Sequence, residues 1–170
     1  METGHLIRIL LVEDLTIVRE GFRSLLQNFP NLEVVGEAGN GEEALQKAGT
    51  LKPTLVLMDV NMPKMDGVTA TRLIKQNHPE VAVVGLTAEA PDYVRYSMLK
   101  AGAFDVVMKG QAVSELYSTI QRAVASVQPI LVLEERQVQA SPTIKLEEAT
   151  ISDGAHEPPT QMPPDTNGQS

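Results

Sequence analysis

The sequence predicts an α/β domain, a doubly wound parallel sheet of five strands with helices on both faces. Two patterns and one bound support that fold class. Five short runs rich in β-branched residues alternate with five segments of helical period between residues 6 and 127. Alternation on that scale builds a parallel sheet with right-handed crossovers. Three of the runs are almost continuously apolar, which suits strands covered on both faces rather than one. The bound is length: 170 residues are enough for one such core and too few for two full ones.

The elements follow in order. LIRILLV (6–12) is the first strand. LTIVREGFRSLLQNF (15–29) is a helix with Val18, Phe22, Leu25, Leu26 and Phe29 on one face. LEVVGE (32–37) is the second strand, and GEEALQKAGT (41–50) the second helix. Asn40 before it and Glu43 three residues on make a capping box. TLVLMD (54–59) is the third strand. DGVTATRLIKQN (66–77) is a helix that stops before His78-Pro79, because proline disfavours helix in the residue preceding it. VAVVGLT (81–87) is the fourth strand. PDYVRYSMLKAG (91–102) starts on proline and ends on glycine, the usual helix asymmetry. FDVVM (104–108) is the last strand and AVSELYSTIQRAVASV (112–127) the last helix. PILVLEE (129–135) reads equally as a short strand or as an extension of that helix.

Composition narrows the chemistry. There is no cysteine, so disulfides, thiolate metal sites and thiol catalysis are excluded. His5, His78 and His156 are far apart and lack metal-ligand spacing. The net charge of -8 argues against binding DNA phosphates or anionic membranes. No apolar run approaches the roughly 18 residues of a membrane span. METGHLIRILLVED is no signal peptide, because its apolar run ends in two acids; a cytoplasmic location is expected. The charge is uneven. Residues 1–133 carry 15 acids and 12 bases, whereas 134–170 carry 7 acids and 2 bases. All six aromatics precede residue 118, and five of the eleven prolines lie between 142 and 164. The expected organisation is a folded domain over 1–133 and an acidic, proline-rich, disordered tail over 134–170.

Chemistry is expected at the carboxyl ends of the strands, where ligands of such sheets sit. The first strand ends in Glu13-Asp14, the third in Asp59, the fourth in Thr87 and the fifth in Lys109. Any one of these is explained by polar strand ends capping the next helix, as Asp14 and Asp66 would. Four in a row on one rim are not. Clustered carboxylates invite a hard divalent cation, and oxygen ligands suit Mg²⁺. One carboxylate can then attack a phosphoryl group, while Thr87 and Lys109 contact its oxygens. Positioning and charge neutralisation are most of what phosphoryl transfer requires.

Over residues 6–127, ILLVED (9–14), MDVNMPKMDG (58–67), GLTA (85–88) and AGAFDVVMKG (101–110) resemble the receiver domain of bacterial two-component response regulators. RILLVEDLTIVREGFRSLL with VVGEAGNGEEAL is similar to the branch that usually carries a C-terminal helix-turn-helix. The resemblance implies a flavodoxin-like (βα)5 receiver fold with strand order 2-1-3-4-5. It makes Asp59 the acceptor of a phosphoryl group from a sensor histidine kinase or histidine phosphotransfer protein. Asp14 would bind Mg²⁺ directly and Glu13 directly or through water. The backbone carbonyl of Asn61 would add a ligand. Thr87 and Lys109 would contact phosphoryl oxygens, Pro63 and Gly67 would shape the loop after strand three, and Asn61 and Glu89 would tune dephosphorylation. The chain would catalyse its own Mg²⁺-dependent phosphorylation and dephosphorylation rather than turn over a substrate.

Two positions depart from the family. Val106 stands where Tyr or Phe is usual, with Phe104 nearby on the same alternating face, and Gly110 follows the lysine in place of Pro or Asp. The first puts the aromatic switch in doubt; the second frees the loop into the last helix. Gly36-x-x-Gly39-x-Gly41 has the wrong order for a dinucleotide fingerprint and reads as a turn. His78 reads as a surface residue, and Tyr93, Tyr96 and Met98 as helix packing, although partners and homodimers in this family use the face of the fourth helix, fifth strand and fifth helix. With no helix-turn-helix pattern after Leu133, output through a protein effector or a second copy is expected, without direct nucleic-acid binding. The rivals are a receiver that never takes phosphate, a DNA-binding regulator missing its second half, and an aspartate-nucleophile phosphatase. The last is disfavoured by Asn61, where such enzymes carry a second Asp.

Overall fold

The computed structural model describes residues 5–89 and 91–139. Five strands form one parallel sheet in the order β2-β1-β3-β4-β5: β1 (Ile7–Val12), β2 (Leu32–Ala38), β3 (Leu55–Asp59), β4 (Ala82–Thr87) and β5 (Asp105–Met108). The helices between and after them are α1 (Thr16–Leu26), α2 (Gly41–Leu51), α3 (Gly67–Asn77), α4 (Asp92–Ala101) and α5 (Val113–Gln139).

The near-continuous apolar runs are the interior strands. Every residue of β3 and β4 is buried, while the edge strands β2 and β5 are mixed. Alternation along each strand then sorts side chains to two faces. Ile9, Leu11, Leu57, Val84 and Leu86 meet Phe22 and Leu26 of α1 and Leu116, Ile120 and Val124 of α5. Leu10, Val12, Val56, Met58 and Val83 meet Ala44 and Ala48 of α2, Ala70 and Ile74 of α3 and Met98 of α4. The predicted α1 face is the packed one, with Val18, Leu25 and Phe29 completing the contact.

Local signals hold at two caps and fail at one. Asn40 caps α2 by accepting from the Glu43 N–H at 3.0 Å, and Glu43 reaches back to the Gly39 N–H at 3.1 Å. Asp66 caps α3 by accepting from the Thr69 N–H at 2.8 Å. Asp14 caps nothing: the residue before α1 is Leu15, without a side-chain cap. The ambiguous segment 129–135 is helical, because α5 runs on to Gln139. Phe104 does not share a face with Val106. It precedes β5, where strand alternation does not hold, and packs with the α1–α5 cluster, whereas Val106 faces the cluster of α2, α3 and α4. Met98 is core, but Tyr93 and Tyr96 are 71% and 65% exposed and are not packing residues. The part of the expected tail beyond residue 139 lies outside the described residues. Among the described residues, no helix is long and apolar enough to cross a membrane.

The strand order puts the reversal of winding between β1 and β3, and the crevice for a ligand opens there. Ile120 is fully buried in the α5 face, so Ile120→Ala should destabilise the domain by about 3 kcal/mol. Urea unfolding should show this as a lower midpoint at unchanged slope. Ser118→Ala, on the exposed side of the same helix, should stay within about 0.5 kcal/mol.

Candidate functional site

The site forms where β1 and β3 end side by side. Val12 pairs with Met58 across the two strands, so the residues that follow, Glu13-Asp14 and Asp59, emerge together. Glu13 and Asp59 are buried, while Asp14 is partly open to solvent. One ligand oxygen from each of Glu13, Asp14 and Asp59 falls within 4.8 Å of the others. From the end of β5, the Lys109 ammonium lies 2.6 Å from Glu13 Oε2 and 3.1 Å from Asp59 Oδ1. Glu13 Oε1 accepts from the Leu15 N–H at 3.2 Å, and Asp59 Oδ1 accepts from the Asn61 N–H at 3.3 Å.

These contacts set the electrostatics. Burial, and then the neighbouring Glu13 charge, push the Asp59 carboxyl up to about 6 against the opposing pull of Lys109. For Lys109, burial alone would lower the ammonium, but its contacts with Glu13 and Asp59 outweigh burial and hold it above its ordinary value. Three carboxylates facing one ammonium leave two uncompensated negative charges. That donor set, hard oxygens open to water on the Asp14 side, fits a divalent cation such as Mg²⁺.

Thr87 ends β4 on the same rim, fully buried, and its hydroxyl donates to the Glu89 carbonyl rather than to any of the acids. The Lys109 N–H donates to the Thr87 carbonyl at 2.8 Å, so the two residues are joined through their backbones. Asn61 is exposed, and Pro63 is an exposed loop residue.

Gly67 is needed for a reason other than a turn. Its φ is not positive; the left-handed residue of this loop is Lys64, at φ 66°. A Cβ on Gly67 would sit 2.1 Å from the Asp59 carbonyl oxygen and 2.9 Å from the Val60 Cα, so only hydrogen lets α3 begin against the end of β3. Gly41 does the same from α2, where a Cβ would lie 2.7 Å from the Met65 carbonyl oxygen. The glycine pattern at 36–41 reads as a turn, and this contact with the β3–α3 loop has no signal in it. Arg19 was also missed: its guanidinium donates to the Glu13 carbonyl at 2.6 Å, although in sequence it is one more polar residue of an amphipathic helix.

A model of the response regulator receiver domain matches residues 9–121, more than half of the chain. The chain belongs to the response regulator receiver family. Such receivers are the signal-accepting domains of two-component systems, and they work with histidine kinases and downstream effectors. Among curated relatives, response regulator GacA of Pseudomonas viridiflava is 41% identical over 116 residues, 68% of this chain and 54% of that protein. VraR of Staphylococcus aureus is 39% identical over 116 residues, 56% of its length. The chain thus spans about half the length of the curated relatives it matches. Among solved structures, the response regulator domain of Thermotoga maritima CheB superposes with a TM-score of 0.66 at 29% identity, covering 71% of this chain and 98% of that one. A LuxR-family two-component response regulator from Aurantimonas gives 0.67 at 30% identity, covering 76% and 98%. The receiver fold and its strand order are therefore as expected from sequence.

Two predictions follow from the crowding and charge of this receiver's rim. Gly67→Ala should cost about 3 kcal/mol or more by urea unfolding, whereas Gly110→Ala, with nothing within 4 Å of its Cβ, should stay within about 0.5 kcal/mol. The Asp59 carboxyl is raised from an ordinary 3.8 to about 6. Its contribution to stability is therefore intact below pH 4 and lost as pH rises through 6. Without metal, Asp59→Asn should be more stable than the wild type at pH 7.5, by about 1–3 kcal/mol, with the difference shrinking toward pH 4. A difference that does not change with pH would mean that Asp59 ionises as an ordinary carboxylate.

Proposed function

We propose that this receiver accepts a phosphoryl group on Asp59 from the phosphohistidine of a sensor histidine kinase or histidine phosphotransfer protein. The observation that carries the proposal is the buried Asp59 carboxylate in a cluster of three acids with one ammonium. A lone pair on an Asp59 carboxylate oxygen forms the new O–P bond. The P–N bond of the donor breaks, and its electrons leave with the imidazole, which takes up a proton. Mg²⁺, when bound by Glu13, Asp14, Asp59 and the Asn61 carbonyl, supplies the positive charge that lets the acids stay ionised near the incoming phosphate. Lys109 holds the acceptor carboxylate and neutralises a phosphoryl oxygen as charge builds.

Thr87 links this chemistry to output. To donate to a phosphoryl oxygen, its hydroxyl must leave the Glu89 carbonyl, which releases the loop between β4 and α4. The readout is a shift in the face of α4, β5 and α5. Tyr93 and Tyr96 are exposed on α4 there, available to a downstream protein effector or to a second copy of the chain. With Val106 at the switch position, the hydroxyl of Thr87 moves without an aromatic partner. The functional domain in this reading covers residues 1–133, and α5 continues past that boundary to Gln139.

Incubating the chain with acetyl phosphate and Mg²⁺ should add the mass of one phosphoryl group, and Asp59→Asn should abolish the gain. Thr87→Ala should still be phosphorylated but should not change its elution on size exclusion when the wild type does. No mass gain with any small phosphodonor or kinase would overturn the proposal in favour of a receiver that binds without phosphate.

A further inference from the structure

Three polar atoms of Glu13 make hydrogen bonds and the fourth an ion pair. Its N–H donates to the Ala38 carbonyl at 3.0 Å, Oε1 accepts from Leu15 N–H, Oε2 meets Lys109, and its carbonyl accepts from Arg19 Nη1 at 2.6 Å. The other side of the Arg19 guanidinium is pinned to β2, with Nε 3.0 Å from Glu37 Oε2. Glu37 is itself fixed, because Oε1 accepts from Arg23 at 2.7 Å and its carbonyl accepts from Lys47 Nζ of α2. Arg19 thus stands between two anchors: an acid on β2, and the backbone of the residue that turns β1 into the acidic loop.

We propose that Arg19 is a positioning residue for the cation site, using Glu37 as its brace to fix the Glu13–Asp14 backbone so that both carboxylates face Asp59. The proposal rests on the function argued above, since it concerns the site in which Mg²⁺ would bind. Two features of Arg19 favour this over an ordinary surface ion pair. Its side chain is only 19% exposed, against 55% for Arg23. Its planar fork, with Nε and Nη1 diverging, holds two acceptors in one fixed geometry, whereas a lysine would meet them with a single ammonium on a flexible stem. Both arginines pair with Glu37, yet of the two it is Arg19 whose guanidinium reaches the Glu13 carbonyl. Groups that orient metal ligands commonly change affinity 10- to 100-fold when removed.

The difference between the two arginines supplies the test. Mg²⁺ titrations of the full chain, followed by the backbone amide NMR shifts of residues 13–15, give the dissociation constant without any phosphodonor. Arg19→Met should weaken Mg²⁺ about tenfold while unfolding remains a single transition. Arg23→Met should leave the affinity within about twofold although it also removes a Glu37 ion pair. Arg19→Lys should recover little of the loss, and Glu37→Gln, which keeps an acceptor oxygen, should recover most of the affinity that Glu37→Ala loses. Equal losses in Arg19→Met and Arg23→Met would reduce Arg19 to general bracing of α1 on β2, and unchanged affinity in Arg19→Met would end the proposal outright. A wild type that shows no Mg²⁺-dependent shifts would remove the functional reading itself, and this inference with it. Should Arg19→Met fail to fold, Glu37→Ala against Arg23→Met makes the same comparison from the other anchor.

Discussion

Lys109 is the charge around which the site closes. Three carboxylates are gathered at the ends of two adjacent strands, two of them buried. Like charges at that spacing oppose folding unless a counter-charge lies among them. The ammonium of Lys109 touches Glu13 and Asp59 together, and so binds the end of β5 to the ends of β1 and β3 across β4. The compensation is partial: the residual negative charge suits the pocket to a cation, and the raised Asp59 carboxyl reflects how deeply that group is buried.

The fold bears on this interaction through steric limits more than through attraction. The pairing of Val12 with Met58 across the interior strands determines where the acids emerge. Gly67 lets α3 start against the carbonyl of Asp59, and Gly41 lets α2 press on the same loop. Asp59 is thereby backed by the start of α3, and the loop that follows it by the start of α2.

On the output side, the same rim meets looser structure. Thr87 is fully buried but bonded to its own loop, and Val106 packs close to Gly85, where a Cβ would meet the Val106 side chain at 3.1 Å and Met98 at 2.9 Å. Arg95 joins α4 to β5 through Asp105 at 2.7 Å. In this structure β5 and α4 are joined by that ion pair and by close packing around Gly85.

The sequence by itself determined the fold class, the element order and which strand ends carry polar groups. Period and polarity are local properties, and a strand that is apolar until its last residue declares which end carries chemistry. The caps at Asn40 and Asp66 were legible for the same reason, since a cap contacts residues two or three positions away. What only the tertiary structure decided was which neighbours meet. Asp14 reads either as a cap or as one of three clustered acids, and the structure decides for the cluster, because Leu15 takes the position before α1. Phe104 and Val106 looked like one face until the start of β5 put them in different cores. Arg19 and Gly41 carry no local mark at all: one acts through a carbonyl six residues back, the other through a loop more than twenty residues away. Contacts of that kind depend on strand order and helix packing, and no window along the chain contains both partners in the arrangement that matters.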